Sequence, residues 1–335
     1  MCVWLAMRRK RPLFLLSGES YAIDQGLEVD TVAASCSPLP YIGNKHCIVG
    51  PLLAVMPPHE VYLEPCMGSA EFFFCKPPSK MEILNDYNGD LVNLFEVIQD
   101  EEALAFLIGR LYLSINSEQL FKRNRKLLVE TPNILDDLTE SSEHFKKLTW
   151  QDVQRAAAFF ENQCYSFSST GQTFGIDTRD MRDRITRILD VVDRLRSAVI
   201  LHRDYKDAIR YAAGEGTYIL CDPPYKGTEK MYYKGSFGGS EHEALFNFFL
   251  EEVHKAFNGK CKFVITYNDC DMIRYLAKQC GFFTLEADRL DNMRQRVSGG
   301  EQFHELLVSN YDMVAQAEAN YQLYLVQKSQ MSLFN

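Results

Sequence analysis

Short β-rich segments alternate with helical periodicity along this chain, and a single long strand-free block breaks the alternation. Strands are expected at Val61–Glu64, Glu82–Asn85, Ala198–His202, Thr217–Cys221, Lys262–Tyr267 and Phe282–Glu286, with Glu305–Ser309 and Tyr321–Val326 as a closing pair. Helical patterns fall between them, at Asp90–Ile98, Glu241–Ala256 and Asp271–Cys280. This alternation predicts an α/β fold, a mostly parallel sheet with helices on both faces. From Glu101 to Arg196 no strand pattern occurs. Helices are predicted at Leu104–Leu113, Glu118–Leu128, Thr149–Phe160 and Met181–Arg196, and the Ser/Thr/Gly-rich stretch Gln163–Thr178 reads as a loop. The block therefore reads as a helical domain at 101–196, inserted into an α/β domain made of 38–100 and 197–335. Ligands of open α/β sheets bind at the carboxyl ends of strands, so an insertion after the second strand overhangs that cleft.

The chain has 335 residues, 46% of them hydrophobic, which is enough for a full core and excludes a disordered or collagen-like chain. No apolar run approaches the ~18 residues of a membrane span. Residues 1–37 read as an extension. Arg8–Arg11 follow an apolar start, the reverse of a signal peptide, so the expectation is a cytoplasmic protein. The ten cysteines form no C-x-x-C pair, and Cys75, Cys221 and Cys261 sit in apolar segments. They read as reduced core thiols, with no metal site expected. Net charge is −9, so contact with a polyanion needs a local basic face. Two stretches offer one: Lys122-Arg123-Asn124-Arg125-Lys126 and the arginines of Arg179–Arg196. Each is also readable as a solvated helix face, the usual explanation of a charge run.

The sharpest motif is Asp222-Pro223-Pro224-Tyr225, directly after the apolar segment Thr217–Cys221. Chance produces this tetrapeptide in about one such chain per thousand. The prolines fix φ and remove N–H donors, leaving rigid carbonyls that only accept hydrogen bonds. A carboxylate beside such a carbonyl suits an –NH2 group, and Tyr225 adds a flat face for a base. The motif resembles that of the Dam-like DNA adenine N6-methyltransferases. The resemblance implies that Asp222 and the Pro223 carbonyl accept from the adenine N6 amine, with Tyr225 stacked on a base flipped out of the duplex.

Other segments resemble the same family in the same order. Tyr62–Phe74, with Glu64-Pro65-Cys66-Met67-Gly68-Ser69-Ala70, resembles its first cofactor motif, with Cys66 for an aromatic and Ala70 for a second glycine. The resemblance implies S-adenosyl-L-methionine as cofactor, held by Glu64, Pro65, Gly68, Ser69 and Tyr87, by Asp86 through the ribose, and in part by Asp222 itself. Pro40–Lys45 resembles the segment the family places before the first strand, which implies Tyr41 and Lys45 at the methionine end. Asp204 and Tyr205 match an acidic–aromatic pair that flanks the cofactor adenine, although Asp204 also reads as a helix cap. Phe263–Asp269 and Glu305–Tyr311 resemble later strands of the family, read as mainly architectural. In the inserted block, Lys122, Arg123, Arg125 and Lys126 match a DNA-contacting region, and Gln163–Gly175 a recognition loop.

The implied architecture is a seven-stranded, mostly parallel, Rossmann-like methyltransferase sheet with helices on both faces, plus a mainly helical target-recognition domain. The implied substrate is double-stranded DNA, and no membrane partner is expected. The sequence leaves open the recognised site and whether a cognate restriction endonuclease shares it. Two alternatives remain: the same chemistry on an RNA base or protein amide, or a non-catalytic DNA-binding relative.

Overall fold

Seven strands form one sheet: β1 (Val61–Glu64), β2 (Met81–Asn85), β3 (Val199–Leu201), β4 (Thr217–Cys221), β5 (Lys262–Asn268), β6 (Phe283–Leu290) and β7 (Gln302–Ser309). Their order across the sheet is β3-β2-β1-β4-β5-β7-β6. The five strands from β3 to β5 run parallel, and β7 is antiparallel to both of its neighbours. The computed structural model describes residues 36–131, 148–175, 180–226, 239–290 and 302–332. The expected N-terminal extension, apart from Cys36 and Ser37, lies outside them, as do Arg179 and the 176–178 end of the expected loop.

The strand order reverses direction between β1 and β4. From β1 the chain moves to β2 and β3 on one side, and from β4 to β5 on the other, which opens a crevice at the carboxyl ends of the central strands. Side chains alternate across the sheet. Tyr62, Leu84, Tyr218 and Val264 enter one core, while Leu63, Ile83, Ile219, Phe263 and Ile265 enter the other. All residues of β4 are buried, as a strand covered on both faces requires.

The helices before the inserted block are α1 (Val49–Val55), α2 (Glu71–Cys75) and α3 (Gly89–Gln99). Between β2 and β3 the chain then runs through α4 (Glu101–Tyr112), α5 (Glu118–Glu130), α6 (Trp150–Cys164) and α7 (Met181–Arg196). Their buried residues, including Leu107, Phe121, Phe160 and Ile188, join the core that also holds Phe95 of α3 and Tyr62 of β1. Polar ties reinforce this packing. Arg155 pairs with Asp90 at 2.5 Å, Asn93 donates to the Asp152 carbonyl, and Gln99 donates to the carbonyls of Leu195 and Ala198. The second half adds α8 (Tyr205–Ala212), α9 (Gly239–Phe248, continued by a π-helical stretch over Phe249–Lys255) and α10 (Asp271–Cys280).

One expected strand is wrong. Tyr321–Val326 belongs to α11 (Met313–Ser332), a helix of 20 residues. The aromatic and branched residues there suggest a strand, yet Asp312 starts a helix by accepting from the N–H groups of Val314 and Ala315. Asn320 then docks that helix on α1 by donating to the carbonyls of Ala54 and Met56. Among the described residues, no helix is long and apolar enough to cross a membrane.

Candidate active site

Asp222 leaves the end of β4 at the central crevice. Its carboxylate is held from two sides: the Thr266 hydroxyl donates to Oδ1 at 2.5 Å, and the Lys45 ammonium lies 2.5 Å from Oδ2. Thr266 arrives there because β4 and β5 pair in register, with Cys221 beside Ile265. Lys45 also donates to the Gly43 carbonyl at 2.8 Å and stands 5.0 Å from the centre of the Tyr225 ring. Pro223 is buried, and Pro224 and Tyr225 are half-buried. The Tyr225 hydroxyl donates to Glu305 of β7 at 3.1 Å, and its ring lies 5.9 Å from that of Tyr267. Carboxylate, proline carbonyls and aromatic ring are thus fixed together at one strand end.

A second cluster occupies the ends of β1 and β2. Gly68 adopts φ +49°, and its N–H donates to Asp86 Oδ2 at 3.0 Å. A Cβ at Gly68 would stand 3.7 Å from the Tyr41 ring. Asp86 Oδ1 accepts from the Asn88 N–H at 2.8 Å, while Asn88, not Asp86, caps α3 by accepting from Asp90 N–H. Burial raises the Asp86 carboxyl, and the N–H groups of Asn88 and Gly68 oppose that rise. Ala70 takes a left-handed conformation, φ +52°, at the position where the resembled family has its second glycine. Asn85 braces the strand tips: its amide donates to the carbonyls of Pro65 and Arg203 and accepts from the Arg203 N–H.

The turn Pro40–Lys45 bridges the clusters, with Tyr41 beside Gly68 and Lys45 on Asp222. The arrangement fits S-adenosylmethionine. A glycine leaves room for close approach, a half-buried carboxylate stands at the tip of β2 as a ribose diol requires, and Asp222 faces the same crevice.

The other expected cofactor residues are placed unequally. Glu64 is buried and accepts from the Tyr62 hydroxyl at 2.5 Å, and desolvation pushes its carboxyl up to about 8. Pro65 contributes its carbonyl to Asn85, and Ser69 is buried with its carbonyl accepting from Ser37. Tyr87 is 49% exposed. Asp204 caps α8 through the Lys206 N–H, and Tyr205 packs edge-on against Phe248 within the core.

On α5, Asn124 turns inward to Glu161, and Lys122, Arg123, Arg125 and Lys126 all face solvent. Lys122 and Lys126 make exposed pairs with Glu118 and Glu130. The second basic stretch is partly structural: Arg184 is buried, and Arg194 lies over the Phe73 ring while binding Glu82. Sequence reasoning missed Thr266 and Glu305 as partners of Asp222 and Tyr225, although both stood inside segments read as architectural.

Comparison with known proteins agrees with this geometry. Residues 41–293 match the profile of the D12 class N6 adenine-specific DNA methyltransferases. A DNA N-6-adenine-methyltransferase of Escherichia phage P1 is 25% identical over 258 residues, which is 72% of this chain but 31% of the phage protein. The chain therefore spans less than a third of that relative. A DNA adenine methylase of Serratia marcescens is 20% identical over 284 residues, covering 80% of this chain and 96% of the relative. With the profile spanning most of its length and both halves of the crevice, the chain belongs to the D12 class N6 adenine-specific DNA methyltransferase family, whose cofactor is S-adenosylmethionine.

Proposed function

We propose that the protein methylates the N6 amine of adenine at a specific site in double-stranded DNA, acting on a base flipped out of the helix. The observation that carries this reading is Asp222, held by Thr266 at the end of β4 beside Pro223 and the Tyr225 ring. S-adenosylmethionine supplies an electrophilic methyl group carried on a sulfonium. Gly68, Asp86 and Tyr41 would hold it, in the half of the crevice formed by β1 and β2.

The chain's own work is orientation and hydrogen bonding. The Asp222 carboxylate and the Pro223 carbonyl accept hydrogen bonds from the two amine N–H groups, which localises the nitrogen lone pair out of the ring and toward the methyl donor. Thr266 keeps Asp222 aligned through Oδ1. The Lys45 ammonium pairs with Oδ2, on the other oxygen from Thr266. The Tyr225 ring, anchored through its hydroxyl by Glu305, provides the stacking surface. The negative charge of Asp222 offsets the positive charge that develops on nitrogen, and the amine loses a proton only after the methyl group has been transferred.

Residues 101–196 serve in this reading as the target-recognition domain, with the outward cations of α5 on phosphates. A restriction endonuclease acting on the same site is a compatible partner. The test is Asp222→Ala, with methyl transfer to DNA measured alongside DNA and cofactor binding. Loss of transfer with both bindings retained is expected, and full activity in this variant rules the reading out.

A further inference from the structure

Behind the Pro40–Lys45 turn, the start of the described chain meets the helix that follows the glycine turn. The Cys36 and Cys75 thiols and a carboxylate oxygen of Glu71 all lie within 4.8 Å of one another. Glu71 and Cys75 share one face of α2 at helical i, i+4 spacing, with Cys75 Sγ 3.7 Å from Glu71 Oε1. His46 Nδ1 stands 3.1 Å from the same oxygen. The other oxygen, Oε2, is occupied by the Ser37 N–H at 3.0 Å and the Asn44 amide at 3.1 Å, and the Cys36 N–H reaches Oε1 at 2.9 Å. The carboxylate is therefore orientated with Oε1 toward the Cys75 sulfur and the Cys36 backbone. Glu71 and Cys75 are buried and Cys36 is half-buried.

We infer that Cys36, Cys75 and Glu71 form a zinc site that staples the segment before the Pro40–Lys45 turn onto α2. Tetrahedral zinc with bonds of about 2.3 Å to sulfur and about 2.1 Å to oxygen sets S···O edges near 3.6 Å and S···S edges near 3.8 Å. The 3.7 Å separation of Cys75 from Glu71 already matches such an edge. Two thiolates select a soft or borderline ion and exclude magnesium and calcium. Binding releases both thiol protons to solvent, so the divalent ion offsets three negative ligands that burial alone would disfavour. The fourth position falls to water, with His46 fixed beside the carboxylate as its orienting partner. The site rests on residues outside the methyl-transfer machinery and stands independently of that reading.

The test uses the full-length protein purified under reducing conditions. Elemental analysis should find one zinc per chain, and Co2+ added to the metal-free protein should give the near-ultraviolet sulfur-to-cobalt charge-transfer bands of thiolate ligation. Cys36→Ser and Cys75→Ser should each abolish stoichiometric binding, and Cys280→Ser, at a distant thiol, should leave it intact. The wild-type cobalt spectrum decides the matter even where a variant fails to fold. Absence of metal and of charge-transfer bands in reduced wild-type protein overturns the proposal. So does recovery of a Cys36–Cys75 disulfide from protein that binds no zinc after reduction, or bands that survive both cysteine substitutions.

Discussion

At the residue scale, the proposed reaction depends on how well Asp222 is held. Thr266 donates to it directly, so in the proposed function it acts through that carboxylate as a positioning residue. Thr266→Val removes one hydrogen bond to a charged acceptor, worth about 1.5–3 kcal/mol. The expected result is a fall in kcat of about 10–100-fold with KM for DNA little changed, and Thr266→Ser should restore much of the rate. Steady-state kinetics on a DNA substrate reads the split. Glu64 gives a second test. Its carboxyl, ordinarily near 4.5, is pushed up to about 8 because ionisation would leave a charge buried beside Tyr62. The folded state therefore holds this proton more tightly than the unfolded chain does. The associated stability is fully present below pH about 4.5, falls as pH rises, and is lost above about 8. Glu64→Gln should flatten that slope, so melting curves from pH 5 to 9 should show the variant gaining on the wild type as pH rises. A constant difference across the range contradicts the assignment.

At the element scale, α7 is bolted to the sheet by a charge cluster. Glu82 of β2 receives Lys76 and Arg194, and Arg194 also donates to the Phe73 carbonyl at 3.1 Å. Burial by itself would raise the Glu82 carboxyl; its hydrogen bonds from Arg194 and Lys76 prevail and hold it below the usual range. Removing one member of such a buried cluster strands the rest, at about 3–5 kcal/mol. Arg194→Ala should therefore lower denaturant stability by that order, whereas Arg187→Ala, on the exposed side of the same helix, should change it little. Equal effects would remove the distinction between the two faces. Both arginines belong to one charge run, and only the packing of α7 on β2 separates them.

At the scale of the whole molecule, a chain of net charge −9 must meet DNA through a local surface. The outward face of α5 offers Lys122, Arg123, Arg125 and Lys126. Replacing all four with alanine should weaken binding to any DNA sequence alike. It should also make the slope of log affinity against log salt shallower by about 0.9 for each phosphate that is no longer neutralised. A salt titration in which slope and affinity are unchanged would place the DNA elsewhere. The crevice itself is assembled from distant pieces: β1 and β2 carry the Gly68–Asp86 cluster, β4 and β5 the Asp222–Thr266 cluster, and α11 ties onto α1, just after the turn that bridges them.

The order of amino acids alone specified the strand–helix alternation, the place of the helical block between β2 and β3, and the contiguous motifs at Gly68, Asp86 and Asp222–Tyr225. These are legible because burial imposes a local period and because a rigid, donor-poor corner must be written in adjacent residues. Packing in three dimensions was needed to establish that Thr266 and Glu305 hold Asp222 and Tyr225, that Lys45 pairs with Asp222, and that Arg194 is an internal strut. It also turned Tyr321–Val326 into helix and brought Cys36 to Cys75. Each of these follows from strand register or helix docking between segments far apart in the chain, and a local pattern carries no information about which distant partner a side chain will meet.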